Sequence, residues 1–211
     1  MSDQHRWLEP PRVEWQGARP FVYARLEQEY ARRLEYLAHQ YTPSILQLPG
    51  VHSAAAEAAS PTASRYPSYN VFLLDEQYTP LLSAIRDCYR VLVKIIDGER
   101  QERFIKSWFN VTTAGHSISR HRHRAVFIGT FSARAEGSQT RFGLSPETNE
   151  ADHIVENRDG QLLLTTGMNH YHEVSSWQDQ SRPRVTYAFD VINASQWRAD
   201  RVQVPFDGAF K

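Results

Sequence analysis

At 211 residues the chain has room for one sizeable core, which excludes a large multidomain machine. Its 24 Lys and Arg balance its 24 Asp and Glu, and 41% of residues are hydrophobic, so a disordered chain and a global field for nucleic acid or an anionic membrane are both excluded. A single cysteine, Cys88, excludes an internal disulfide and a multi-cysteine metal site.

Along the chain, residues 1–20 carry Pro10, Pro11 and Pro20 beside Trp7 and Trp15, which suits an extended arm laid on a surface. From 21 to about 41, Leu26, Tyr30, Leu34 and Leu37 recur at three- and four-residue spacing and predict an amphipathic helix. Residues 50–70 are rich in Ala, Ser and Pro and predict a mobile loop, either lid or linker. A second helix is predicted from Thr79 or Pro80 to Ile96, ended by Asp97-Gly98. Residues 1–100 therefore read as a helical support. The period then changes: FIKSWFNVT (104–112), AVFIGTFSA (125–133), QLLLTT (161–166) and RVTYAFDVI (184–192) are short, β-branched and aromatic, and read as strands, with a polar loop from about 136 to 160. Helices followed by antiparallel strands, without βαβ alternation or a Gly-rich phosphate loop, predict a mainly β (α+β) domain. No apolar run approaches the roughly 20 residues of a membrane span, and the N-terminus lacks the apolar core of a secretory signal. A cytoplasmic protein is expected, with a small-molecule partner, no nucleic acid and no membrane; pairing as a homodimer stays open.

The densest chemistry lies in Gly115-His-Ser-Ile-Ser-Arg-His121-Arg-His123-Arg124. On a strand, residues two apart share a face, so His121 and His123 would point one way and Arg120, Arg122 and Arg124 the other. Neighbouring cationic imidazoles repel, whereas neutral ones can share a divalent metal. Asn169-His170-Tyr171-His172-Glu173 offers a third ligand, and His172 is chosen over His170. Three histidines leave coordination positions open, unlike a closed structural zinc site, and suit iron, zinc, copper or nickel. His-x-His also arises by chance, and the arginines between the histidines could be a basic patch, but no further clustering of basic and aromatic residues extends it. In the last strand, alternation puts Arg184, Thr186, Ala188 and Asp190 on one face and Val185, Tyr187 and Phe189 on the other.

The order of these features resembles the iron(II)/2-oxoglutarate-dependent oxygenases, in particular small members with a strand like SWFNV, a glycine, a His-x-His and a late His-Glu-Val. It covers residues 104–192, under half the chain. The segment His172-Glu-Val, a polar spacer, then Arg184-Val-Thr-Tyr-Ala-Phe-Asp190 is also similar to the end of aspartyl/asparaginyl β-hydroxylases. The resemblance implies a double-stranded β-helix, the cupin-like jelly roll, over 104–192. It implies Fe(II) held by His121 and His172, with O2 and 2-oxoglutarate as co-substrates, and His123 completes the expected set of three metal ligands. Arg184 with Thr186 would clamp the far carboxylate of 2-oxoglutarate, and Asn110 would join the co-substrate site. Arg182 competes with Arg184, but Pro183 follows it and it precedes the strand. His123 departs from the family pattern, which has a carboxylate at that position, and makes the ligand set neutral. Three-histidine iron sites occur among cupins such as thiol dioxygenases, and Gly115 before His121-x-His123 matches the opening of the cupin motif. The cupin glutamate is absent, since Phe127 and Ile128 stand in its region. The implied function is oxidation, by hydroxylation, of a small organic substrate. The alternatives are a cupin-type dioxygenase that does not use 2-oxoglutarate and a non-catalytic small-molecule binder on the same fold.

Overall fold

The computed structural model describes residues 6–50, 60–96, 101–143, 151, 153–167, 171–198 and 201–207. The chain opens as a hairpin of β1 (Trp7–Gln16) and β2 (Arg19–Leu26), turned at Gly17, whose φ of 60° favours glycine. Pro10 and Pro11 sit in β1 at the sheet's edge, where a missing N–H is tolerated, and the pairing register shifts beside them. Residues 7–20 are therefore a strand pair rather than a bare arm.

Helix α1 runs from Gln28 to Ile45, not from residue 21. Phe21, Val22, Tyr23 and Ala24 are buried on alternate faces because β2 is flanked by β1 and by β8 (Gln161–Thr166), and this double burial overrides the helical spacing. From Leu34 onward the predicted stripe holds, with Leu34, Leu37 and Ala38 buried. The second helix, α2 (Thr79–Ile96), begins and ends as its sequence predicts; the stop at Asp97-Gly98 falls outside the described residues.

Among the described residues, nine further strands complete two antiparallel sheets: β3 (Arg103–Thr112), β4 (Ile118–Arg122), β5 (Phe127–Arg134), β6 (Gln139–Phe142), β7 (His153–Glu156), the β8 above, β9 (Tyr171–Val174), β10 (Arg184–Asn193) and β11 (Val204–Asp207). The larger sheet has the order β1-β2-β8-β5-β10-β3-β11 and the smaller β4-β9-β6-β7. This is a double-stranded β-helix. The stretch 136–160 is not simply a loop: it carries β6 and β7, both short and polar enough to escape a hydrophobic-run criterion, while 144–150 and 152 fall outside the described residues.

The larger sheet buries both faces. On the helix side Val185, Tyr187, Phe189 and Val191 of β10 join Phe109, Phe131, Leu162, Leu164 and the apolar stripes of α1 and α2 in one core. On the inner side Phe21, Ile128, Leu163 and Ile192 meet Phe142 and Val155 of the smaller sheet. Of the predicted loop, 51–59 lie outside the described residues. Residues 60–70 are packed on β3, where the Thr62 hydroxyl donates to the Phe109 carbonyl (2.9 Å) and the Asn70 amide to the Ile105 carbonyl (3.0 Å). At the far side of the sheet, Thr165 on β8 donates to the Pro20 carbonyl (2.8 Å), tying together positions 145 residues apart.

Candidate functional site

Between the two sheets lies a cavity of about 980 Å³, at the upper end of the size range of small-molecule sites. Its floor is the inner face of the larger sheet. The cross-strand register sets Thr186 beside Asn110 and Ser132, Ala188 beside Trp108, and Asp190 beside Lys106. The smaller sheet closes the other side with His121, Phe142, His172 and Val174.

His121, His123 and His172 meet on this wall. Register pairs His121 with His172 across β4 and β9, and Phe142 of β6 pairs with His172 from the other side. Strand β4 ends at Arg122, so His123 stands just past it, yet its ring reaches the same point. Ring centroids are 4.3 Å apart for His121 and His172, 5.0 Å for His121 and His123, and 5.1 Å for His123 and His172. One nitrogen from each ring lies within 4.8 Å of the other two, close enough for one ion. His170, the other candidate, lies outside the described residues.

The hydrogen bonds of two rings fix which nitrogen faces inward. His121 Nδ1 is 2.8 Å from the Ser119 carbonyl, which can only accept, so Nδ1 carries the hydrogen and Nε2 of the neutral ring keeps its lone pair. His123 Nδ1 is 2.6 Å from Asp190 Oδ1, with the same consequence, and His123 Nε2 is buried without a partner among the described residues. Burial, with His123 beside it, pushes His121 below the ordinary imidazole range, which favours the neutral form a metal requires.

Asp190 is the residue that sequence reasoning placed on the right face without giving it work. Burial would raise its carboxyl, but His123 and the Lys106 ammonium, 2.8 Å from Oδ2, outweigh burial and hold it below the usual carboxylate range. The signal was legible: a carboxylate in TYAFDVI and an ammonium in FIKSWF are charges inside otherwise apolar strands. Their pairing was not, because register is a tertiary fact. Trp108 lies parallel to His123, 5.8 Å between centroids at 11°, and limits how that ring can turn.

Beyond Thr186 the cavity lining stops, and Arg184 lies one pleat deeper on the same face of β10, fully buried. Its Nη1 donates to the Ser175 carbonyl (3.0 Å), while Nε and Nη2 have no partner among the described residues. Burial pulls this guanidinium down to about 10. It stays charged at neutral pH, so it is a buried cation that no carboxylate among the described residues pairs with. Next to it, Asn110 donates through Nδ2 to Thr186 Oγ1 (3.1 Å), which leaves the threonine O–H free to donate elsewhere. Arg182 is elsewhere: exposed, it reaches Glu35 on α1 at 2.8 Å. The three arginines Arg120, Arg122 and Arg124 do not all turn away from the cavity. Arg120 is within 3.8 Å of Glu173, but Arg122, the last residue of β4, and Arg124, beyond its end, line the cavity.

No protein-family model and no curated protein sequence matches this chain. Solved structures do. A Pseudomonas putida prolyl-4-hydroxylase aligns over 88% of this chain and 98% of its own, at 13% identity and a TM-score of 0.56. The non-haem α-ketoglutarate-dependent epimerase SnoN from nogalamycin biosynthesis aligns over 82% and 78%, at 11% identity and a TM-score of 0.57. The non-haem monooxygenase ThoJ, solved as a nickel complex, aligns over 80% and 71%, at 14% identity and a TM-score of 0.54. The chain shares their fold. The likeness to the prolyl hydroxylase spans nearly that whole protein, so it includes the supporting helices and not the jelly roll alone.

Proposed function

We propose that this protein is a non-haem iron oxygenase that uses O2 and 2-oxoglutarate to oxidise, by hydroxylation, a small organic substrate held in the cavity. His121, His123 and His172 would hold Fe(II), and Arg184, Thr186 and Asn110 would hold the far carboxylate of 2-oxoglutarate. The observation that carries this reading is the fully buried Arg184, with two unpartnered nitrogens, at the end of the cavity whose wall holds three convergent imidazoles. Such a cation calls for a buried anion, and the guanidinium fork matches a carboxylate. SnoN, which is α-ketoglutarate-dependent, and ThoJ, a nickel complex, share the fold and lend the reading support.

Iron, when bound, would activate O2, whose four electrons come two from 2-oxoglutarate, converted to succinate and CO2, and two from the substrate C–H that is hydroxylated. The chain's own residues orient and exclude. Ser119 and Asp190 keep Nε2 of His121 and His123 turned inward and unprotonated. Thr186, freed by Asn110, adds an O–H donor beside Arg184. The inner apolar cluster of Ile128, Phe142, Leu163 and Ile192 keeps water from the sheet interior.

The neutral three-histidine set favours a second reading, a cupin-type dioxygenase acting without 2-oxoglutarate. One experiment separates the two. Iron is loaded anaerobically, 2-oxoglutarate is titrated in, and succinate is followed by NMR after oxygen is admitted. The oxygenase reading expects saturable 2-oxoglutarate binding that Arg184→Ala weakens by about 2–5 kcal/mol, with iron binding unchanged, and that Arg182→Ala leaves intact. Equal binding by the two variants, or oxygen uptake without 2-oxoglutarate, overturns it.

A further inference from the structure

The cavity mouth has a charge pattern that the iron and co-substrate reading leaves unused. The chain as a whole is neutral, yet the described residues lining the cavity include Lys106 and four arginines against one carboxylate, Asp190. That carboxylate is engaged by His123 and Lys106, so it offsets the lysine and none of the arginines. Of these, Arg201 is the best held. It is half-buried, its Nη1 donates to the Tyr66 hydroxyl (3.0 Å), its guanidinium carbon is 5.4 Å from the Tyr66 ring centre, and its Nε is buried without a partner among the described residues. Tyr66 in turn lies 5.4 Å from Trp108, and Trp108 stacks on His123. An aromatic wall thus runs from a metal-facing histidine out to a guanidinium that no described carboxylate neutralises.

We propose that the substrate is a small aromatic or conjugated organic acid. Its flat body lies along the Trp108 and Tyr66 side of the cavity, and its anionic group, remote from the carbon that is oxidised, meets Arg201. Aromatic surface favours a flat apolar body. A half-buried guanidinium aimed by the Tyr66 hydroxyl gains more from an anion than from a neutral polar group, because the charge-assisted pair is the stronger one. Arg122 and Arg124, exposed at the same mouth, add a field that draws anions in. This inference rests on the oxygenase reading for the placement of the oxidised carbon, but the acid site itself can be tested without turnover.

The probes are 2-naphthoate and its neutral amide, 2-naphthamide. Binding to the full chain loaded with redox-inert Zn(II), with 2-oxoglutarate in excess so that Arg184 is occupied, is measured by calorimetry and ligand-observed NMR. The acid should bind about tenfold more tightly than the amide, a preference of about 1.4 kcal/mol. Arg201→Gln should erase that preference and leave amide binding unchanged, Tyr66→Phe should reduce it, and Arg182→Gln should preserve it. Equal binding of acid and amide overturns the proposal. So does failure of both to bind, a preference that survives Arg201→Gln, or displacement of naphthoate by 2-oxoglutarate, which would place the acid on Arg184. If 2-oxoglutarate itself does not bind while the Arg201-dependent preference holds, the oxygenase reading fails and the acid site stands.

Discussion

A carboxylate set back from the point where the three imidazoles converge still shapes it. Asp190 sits behind His123, and its second oxygen is claimed by Lys106, so one buried anion both fixes an imidazole tautomer and holds an ammonium beside the cavity. Outer-shell partners of this kind typically change metal affinity by about 10–100-fold. Asp190→Asn keeps the shape, removes the charge and should weaken Zn(II) or Co(II) binding by roughly that factor, read by chelator competition. Unchanged affinity would reduce Asp190 to a structural anchor for Lys106. At this scale the sequence was informative about residue types and poor about partners. His121, His123, His172, Arg184, Thr186 and Asn110 are brought to one cavity or its end, as spacing and resemblance implied. The Asp190 to Lys106 pairing and Asn110 to Thr186 depend on register between strands about 80 residues apart, and Trp108 against His123 on how the chain past β4 turns back, neither of which a local pattern encodes.

Strand β10 shows how one element serves two chemistries. Its even positions, Arg184, Thr186, Ala188 and Asp190, face the site, and its odd positions, Val185, Tyr187, Phe189 and Val191, face the helices. The neighbouring strand leaves room for this at Gly129, which pairs with Phe189. A Cβ at Gly129 would run into the Phe189 ring and the Leu163 carbonyl. Gly129→Ala should therefore destabilise the fold by about 1–3 kcal/mol through overpacking, seen as a lower melting temperature by calorimetry. An unchanged melting temperature would mean that Phe189 can give way. Strands that alternate or run apolar were legible here: β8 and β10 begin where the sequence put them. Misreadings have two causes. Phe21–Leu26 satisfies a helical period by accident of Leu26 and Tyr30, while its burial on both faces makes it a strand. Strands β6 and β7, four residues each, are too short and polar to stand out in 136–160.

At the level of the whole molecule, the three imidazoles all belong to the smaller sheet or the chain just past β4. That sheet has four strands against seven in its partner, so it has fewer contacts of its own to lose. An ion binding only the folded state stabilises by about 2.7 kcal/mol at a hundredfold excess over its dissociation constant. For a chain of this size that raises the melting temperature by about 5–10 °C. Adding Zn(II) or anaerobic Fe(II) to metal-free protein should produce that shift, EDTA should reverse it, and His172→Ala should show none. A shift that persists in His172→Ala would place the ion elsewhere.

The bond between Thr165 and the Pro20 carbonyl has a meaning during synthesis. β2 is made before one of its two partners, β8, which follows β3 through β7. Until then the β8-facing backbone edge of β2 has no strand to pair with, although Phe21 can already reach Phe142 and His153. A nascent chain halted short of residue 161 would therefore hold its first hairpin with an open, apolar edge. Such an edge is what holdase chaperones bind and what other chains pair with, so β2 stays open to mispairing until β8 has been made.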